Sequence, residues 1–410
     1  MPMDRLTGVV NDLVARMEAQ GTAKGAEVVV REVIPAADGR GPRFLLEGQG
    51  DKRFIRMNAN SYLGLSLHPD VVEAEEVTAR AMGAGPGAVR FIAGTHTPHV
   101  ALERDLAAFH GREEGMIFSS AYAAVVSALV SLTDKTTFVI SDELNHNCII
   151  NAIRMSRPAG KAIYPHLDLD MLDRQLEEAK GQARRVIVVS DGIFSMRGDH
   201  APVDEIMAIA ERHDADFPEN VVVVVDDSHG VGAFGATGRG TEEYTNSPPS
   251  DILVGTLGKA FGVNGGYVVS SAPVIRFLRE SSPLYIYSNP ITAGEAAAAR
   301  KSLEILQGPE GAERLSHLRA LTKRFERGLV AAGFEIIPGD HPITPIMVRD
   351  TDETRRLVAA LFDAGVLATG LAFPVVPRGD ESIRFQINAD HTEAGIDEVL
   401  AALSAARAAT

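Results

Sequence analysis

A chain of 410 residues, 45% hydrophobic and 23% charged, has the composition of a soluble globular protein, and its length favours two or three structural units. The net charge of −15 argues against nucleic acid or an anionic membrane as the main partner, so an anionic substrate would need a local basic patch. Cys148 is the single cysteine, which excludes an intrachain disulfide and a cysteine-based zinc site; no metal site is read elsewhere.

In chain order, Met1-Pro2-Met3-Asp4-Arg5 lacks a charged-then-apolar signal pattern, and no apolar run approaches the ~18 residues of a membrane span. A soluble, cytoplasmic enzyme is the expectation. Residues 4–20 place Leu6, Val9, Val10, Leu13, Val14 and Met17 at helical spacing, and a polar, glycine-containing stretch follows to about residue 50. From there short apolar runs alternate with longer amphipathic ones, the rhythm of a largely parallel sheet flanked by helices. Strands are expected at Gly115–Phe118, Thr137–Ile140, Arg185–Ser190, Val221–Val225, Ile252–Gly255 and Tyr267–Val269. A helix is expected over Val100–His110, with Leu102, Leu106 and Phe109 on one face and Gly111 as its stop. After about residue 290, helices over Ile291–Leu306 and Glu313–Ala332 lead into an apolar strand (Ile343–Val348). A helix opened by Asp352 and closed by Gly365, another strand and a last helix around Ile396–Leu403 complete a smaller α/β lobe. The expected domains are an N-terminal helix and arm (1–58), a large domain (59–290) and a small C-terminal one (291–410).

The chemistry concentrates around Val221–Val225, five consecutive valines that read as a strand buried on both faces. Asp226-Asp227-Ser228-His229 follow it, where open α/β sheets place their ligands. Adjacent carboxylates repel unless something cationic lies near, although an aspartate at a strand end is also a common turn cap. Lys259, in Gly-Thr-Leu-Gly-Lys-Ala-Phe-Gly, has small or apolar neighbours and no partnering acid within the segment. A lysine so placed loses proton affinity and becomes a usable nucleophile, though most lysines in such turns are simply solvated. An imine-forming lysine and an aspartate that keeps a pyridine nitrogen protonated are what a protein supplies to pyridoxal phosphate. A phosphate-loop reading fails at Leu253 and Ala260. Gly230-Val-Gly-Ala-Phe-Gly235 fits a dinucleotide fingerprint, but acids precede it and glycine-broken sequence follows, so a dinucleotide-binding dehydrogenase is only a remote alternative. Ser119-Ser120-Ala121-Tyr122 reads as a strand-to-helix turn able to cradle phosphate, or as an ordinary serine cap. His146, in Asn145-His146-Asn147, is read as opening a helix or as an exposed first-turn residue. Arg384, on an alternating strand, suits a substrate carboxylate or half-exposure alone, and Phe373–Pro377 is a rigid loop that walls a pocket or joins two elements.

These segments resemble the α-oxoamine synthases, fold type I pyridoxal-phosphate enzymes that condense a small amino acid with an acyl-coenzyme A. The likeness runs from Asn60 to His391. It is carried by Asn60-Ser-Tyr-Leu-Gly-Leu65, Val89-Arg-Phe-Ile-Ala-Gly-Thr95, Ile140-Ser-Asp-Glu-Leu-Asn-His146, Asp191-Gly-Ile-Phe-Ser-Met196, Asp226-Asp-Ser-His229, Gly238-Arg-Gly240, Thr256-Leu-Gly-Lys-Ala260 and Phe373-Pro-Val-Val-Pro377. The resemblance implies Lys259 as imine former and base, Asp226 as partner of the pyridine nitrogen and His146 stacked on the ring. Ser195 and His229 would hold the phenolic oxygen. Phosphate would fall to the Ser120-Ala121-Tyr122 turn, with backbone amides of Ala121 and Tyr122, to Thr256, and to Ser288 from a neighbouring subunit. Arg384 would take the substrate carboxylate, with Asn60 contributing across a homodimer interface. The blocks look most like family members that join glycine to acetyl-coenzyme A. The decarboxylating types (8-amino-7-oxononanoate, 5-aminolevulinate and serine palmitoyl synthases) stay open.

Overall fold

The structure, a computed structural model, describes residues 3–373 and 376–409. Pro374 and Val375, inside the Phe373–Pro377 loop, lie outside the described residues. The chain forms two compact units, Asn60–Arg319 and Met1–Ala59 with Ala320–Thr410.

The larger unit is built on a seven-stranded sheet ordered Glu114–Phe118, Gly266–Ser270, Ile252–Thr256, Val221–Asp226, Arg185–Asp191, Thr137–Asp142, Gly160–Tyr164. The last five of these strands run parallel, and Gly266–Ser270 is antiparallel to both its neighbours. This is the expected α/β class with a mostly parallel central sheet. The valine strand sits mid-sheet, buried except for a partly covered Val222, because β-branched side chains on both faces need cover from both sides. The edge strand Gly160–Tyr164 escapes the pattern reading because its outer residues alternate with exposed ones and Gly160 opens it. Helix Ala121–Leu132 presents seven consecutive buried residues, Ala123–Leu129, so it packs on every side and carries no amphipathic signature.

Helix Ala293–Gln307 packs against helices Pro69–Met82 and Thr97–Phe109 and so belongs to this unit rather than to the lobe expected from residue 291. Gly294 permits the approach: a Cβ there would lie 3.2 Å from Glu75.

In the other unit, Val30–Ile34, Arg43–Leu46 and Arg53–Arg56 form an antiparallel sheet extended by Val366–Leu367, parallel to Arg53–Arg56. The stretch expected to be polar connection is therefore sheet, and its pairing with residues 366–367 ties the N-terminal arm to the C-terminal segment. A second sheet, Glu335–Ile336, Ile343–Met347, Ser382–Gln386 and Thr369–Leu371, is antiparallel throughout. Asp350, not Asp352, caps helix Thr351–Asp363, accepting the Glu353 N–H at 2.8 Å; Asp352 lies in the first turn, where its charge favours the helix dipole. Helix Asp4–Ala19 forms as its spacing predicts, with its apolar residues exposed.

One buried ion cluster ties four segments of the larger unit together. Glu103 accepts both Arg90 Nη atoms at 3.0 Å, Arg279 Nη2 at 3.0 Å and the Ile117 N–H at 3.0 Å, and Arg90 is only 6% exposed. Truncating the shared carboxylate strands two arginines, so Glu103→Ala should lower the urea-unfolding free energy by about 3–5 kcal/mol. A loss below about 1 kcal/mol would mean the arginines find other partners.

Candidate active site

Four parallel strands end in polar residues at one edge of the sheet: Asp142, Asp191, Asp226 and Thr256. Asp226 is buried; its Oδ1 accepts the Ser228 N–H at 3.1 Å and its Oδ2 the Cys148 thiol at 3.5 Å. Asp227, expected to share a cation with Asp226, faces elsewhere. Its two oxygens accept the Thr241 N–H and hydroxyl, both at 2.6 Å, and burial lifts its carboxyl to about 7. A Cβ at Gly192, Gly230 or Gly240 would come within 2.3, 2.1 and 1.9 Å of that carboxylate, so these glycines exist to let it in. Gly230 and Gly240 thus serve Asp227, and turns rather than a helix follow the strand until the short Thr241–Thr245.

Lys259 stands in the hairpin between strands Ile252–Thr256 and Gly266–Ser270. Gly262 (φ +71°) donates its N–H to the Lys259 carbonyl at 2.9 Å, and Leu257 donates to Gly265 at 3.0 Å. Lys259, Asp226, His146, His229 and Ser195 line one cavity of about 60 Å³, which Ala121 and Tyr122 bound on another side. Segments spread from residue 121 to residue 259 therefore meet at one cavity.

His146 caps helix Asn147–Ser156. Its Nδ1 accepts the Cys148 N–H at 3.2 Å, and its own backbone N–H donates to Asp191 Oδ2 at 2.9 Å. Burial lowers its pKa, opposed by Asp226 and aided by Lys259, which favours the neutral ring. His229 Nδ1 lies 2.6 Å from the hydroxyl of the fully buried Tyr62, which also donates to Asn60 Oδ1 at 3.5 Å.

Ser120 caps helix Ala121–Leu132 through the Ala123 N–H at 3.1 Å, so its hydroxyl already has work in the cap. First-turn N–H groups such as those of Ala121 and Tyr122 have no partner inside their own helix, which suits them to an anion. A Cβ at Gly266 would sit 2.2 Å from the Ala121 nitrogen; only glycine lets that strand pass so close to the helix start. The Thr256 hydroxyl donates to Gly265 O at 3.2 Å and accepts the Gly258 N–H at 3.1 Å, so it meets a phosphate only by trading a partner. Ser288 contacts the Asn289 carbonyl at 3.5 Å and does not line this cavity. Arg384 belongs to the other unit, half-buried on strand Ser382–Gln386.

An anion-binding helix start, a buried acid, a neutral imidazole face, hydroxyl and imidazole donors and one amine match the phosphate, pyridine nitrogen, ring, phenolic oxygen and aldehyde of pyridoxal phosphate. The sequence reading gave no role to Tyr62, Cys148, Asp191 or His166. Tyr62 and Asp191 lie inside motifs that carried the resemblance, and that was their only signal.

His166 holds the loop that bears Ser195. Its Nδ1 meets Asp142 at 3.1 Å, its Nε2 meets Asp199 at 3.2 Å, and its ring packs edge-on against Phe194 at 4.4 Å. Burial works against its charge, but the two carboxylates prevail and lift it to about 9. A histidine pKa raised by folding adds stability that is complete below its unfolded value, about 6.5, and is lost as pH rises through about 9. Wild type should therefore lose roughly 1–3 kcal/mol more than His166→Gln across that window in urea melts. Parallel curves for the two proteins would remove His166 from the balance.

No helix among the described residues is long and apolar enough to cross a membrane. The aminotransferase class I and II family model matches residues 52–403. Human mitochondrial 2-amino-3-ketobutyrate coenzyme A ligase is 36% identical over 400 residues, 97% of this chain and 91% of that protein. The 8-amino-7-oxononanoate synthase of Bacillus pumilus is 38% identical over 351 residues, 85% of this chain and 87% of that one. The solved serine palmitoyltransferase of Sphingomonas wittichii matches with a TM-score of 0.88 at 25% identity, covering 99% and 98% of the two chains. An SPT structure with a PLP internal aldimine matches with a TM-score of 0.88 at 27% identity, with the same coverage. With a lysine and a buried aspartate meeting at the carboxyl ends of a parallel sheet, these likenesses make the chain a member of the aminotransferase class I and II family and, within it, a pyridoxal-phosphate-dependent α-oxoamine synthase of fold type I.

Proposed function

We propose that this enzyme joins glycine to acetyl-coenzyme A, releasing coenzyme A and 2-amino-3-ketobutyrate. The observation that favours this over the other family reactions is the reach of the likeness: 97% of the chain aligns with the human 2-amino-3-ketobutyrate coenzyme A ligase, against 85% with the B. pumilus synthase. The higher identity to the latter, 38%, supports a second reading, a decarboxylating synthase with a longer acyl donor.

The cofactor, when bound, supplies the electron sink that makes an amino-acid Cα–H acidic. Lys259 Nζ is the amine that attaches it and the base that takes the α-proton. Asp226 would partner the pyridine nitrogen and keep it protonated. His146 would cover one ring face, burial lowering its tendency to carry a competing charge. His229 and Ser195 would hold the phenolic oxygen, with Tyr62 orienting the His229 ring through Nδ1. Backbone amides of Ala121 and Tyr122, with Ser120 and Thr256 beside them, take the phosphate. Arg384 takes the substrate carboxylate as a planar, bidentate donor. Ser288 and Asn60 act at an interface between two copies of the chain, a homodimer being the form in which such a site is complete.

Free thiol should appear from acetyl-coenzyme A only when glycine is present, and a panel of amino acids against thioesters of increasing length should peak at that pair. Release of carbon dioxide with a longer thioester as the best donor would select the second reading. Borohydride should fix a pyridoxyl group on Lys259, and Lys259→Ala should remain folded while losing the lysine-linked visible band and about 100-fold or more of turnover. Asp226→Asn should keep cofactor but lose most turnover; near-normal rates there would contradict its role at the ring nitrogen.

A further inference from the structure

Asp191 and Asp226 end neighbouring parallel strands and are register partners. In-register residues of parallel neighbours stand on one face of a sheet, so the two carboxyl groups lie side by side, 5% and 6% exposed. Asp191 is held from two directions. Its Oδ2 accepts the His146 N–H at 2.9 Å, and its own N–H donates to Asn145 Oδ1 at 2.7 Å, while Asn145 Nδ2 is tied to Val189 O and Ser141 Oγ at 2.8 and 2.9 Å.

The pair is faced by Asp142 from the strand on the far side of Asp191, by His146 and Cys148 from the start of helix Asn147–Ser156, by Lys259 from the hairpin and by His229 from the turn after Asp226. Lys259 is the basic side chain among them that works against a raised carboxyl, while burial lowers the His146 imidazole and burial and Asp226 push the Cys148 thiol up. Two adjacent buried carboxylates cannot both ionise cheaply, and burial followed by the charge of Asp226 drives the Asp191 carboxyl well above its ordinary range.

We propose that Asp191 is a positioning residue whose carboxyl oxygen anchors the backbone of His146 at the cofactor site, leaving its register partner Asp226 to meet the ring nitrogen. The inference rests on the reading of Asp226 as the nitrogen's partner. The anchor needs an acceptor oxygen, not a charge. An asparagine has that oxygen, and an alanine does not.

The test is titration of the cofactor-stripped, full-length protein with pyridoxal phosphate, following the visible band and its circular dichroism, at about pH 6.5 and about pH 8.5, for wild type, Asp191→Asn, Asp191→Ala and Asp226→Asn. Asp191→Asn should bind within about three-fold of wild type at both pH values and keep the dichroic signal, which reports ring orientation. Asp191→Ala should bind at least about ten-fold more weakly, with a reduced signal, because the His146 N–H loses its acceptor. An Asp191→Asn protein that binds about ten-fold or more weakly shows that a negative charge at 191 is required and overturns the proposal; this variant decides the matter alone if Asp191→Ala does not fold. An Asp191→Ala protein with wild-type affinity and dichroism overturns the anchoring role. Wild type that takes up no pyridoxal phosphate, or Asp226→Asn with unaltered spectrum and affinity at both pH values, overturns the underlying reading of Asp226, and this inference with it. A defect confined to Asp191→Asn leaves that reading in place.

Discussion

A carboxylate at the end of a strand covered on both faces is cut off from water and must meet a cation, a donor or a proton. The larger unit answers that requirement four times within a small volume. Asp142 is neutralised by His166, which it shares with Asp199. Asp227 is turned onto Thr241 and lifted toward neutrality by burial. Asp191 takes a backbone N–H and is likewise driven toward its neutral form. Asp226 and Asp191 both line the cavity that holds Lys259, and of the two it is Asp191 that spends an oxygen on the His146 N–H. The site is thus defined by a pair of strand-end carboxylates at the cavity, of which Asp191 is tied to the His146 backbone, while Asp142 and Asp227 are engaged elsewhere.

Close backbone approach does the complementary work. Gly192, Gly230 and Gly240 make room for the Asp227 carboxylate, and Gly266 lets a strand run against the nitrogen of Ala121 at the start of a helix. A side chain at any of them would displace the groups that shape the cavity. Glycines that look like a dinucleotide fingerprint in the linear sequence are here the packing partners of a buried acid. The same residue type in the same spacing serves two chemistries, and only the neighbours distinguish them.

The cavity's residues come from the ends of strands and the first turns of helices, elements whose positions are set by a core they do not belong to. The Glu103 cluster ties helix Thr97–Phe109 to the turn at Arg90, to strand Glu114–Phe118 and to helix Ala272–Ser281. His166 does the same for the loop of Ser195. Reactive groups held this way keep their geometry before any substrate arrives, which is the condition for acid–base chemistry at a fixed amine.

Much of this was legible along the chain. Periodicity located every central strand and helices such as Thr97–Phe109 and Ala293–Gln307, because a strand buried on two faces or a helix buried on one stripe leaves its mark on neighbouring positions. Helices Pro69–Met82, Leu169–Ala179 and Val203–His213 were not read from it. The lysine, the strand-end aspartate and the histidine that caps a helix were legible as residue types in suggestive settings. The edge strand Gly160–Tyr164, the arm sheet near residue 30 and the affiliation of helix Ala293–Gln307 were not, since each depends on what packs against it. The pairing of Tyr62 with His229 spans 167 residues and that of His146 with Asp191 spans 45. No local pattern encodes them, because strand order decides which ends become neighbours. Composition and spacing determined which chemistry the chain could perform. Tertiary structure decided which carboxylates face the lysine, since burial and hydrogen-bond partners, and through them charge, are properties of the assembled sheet.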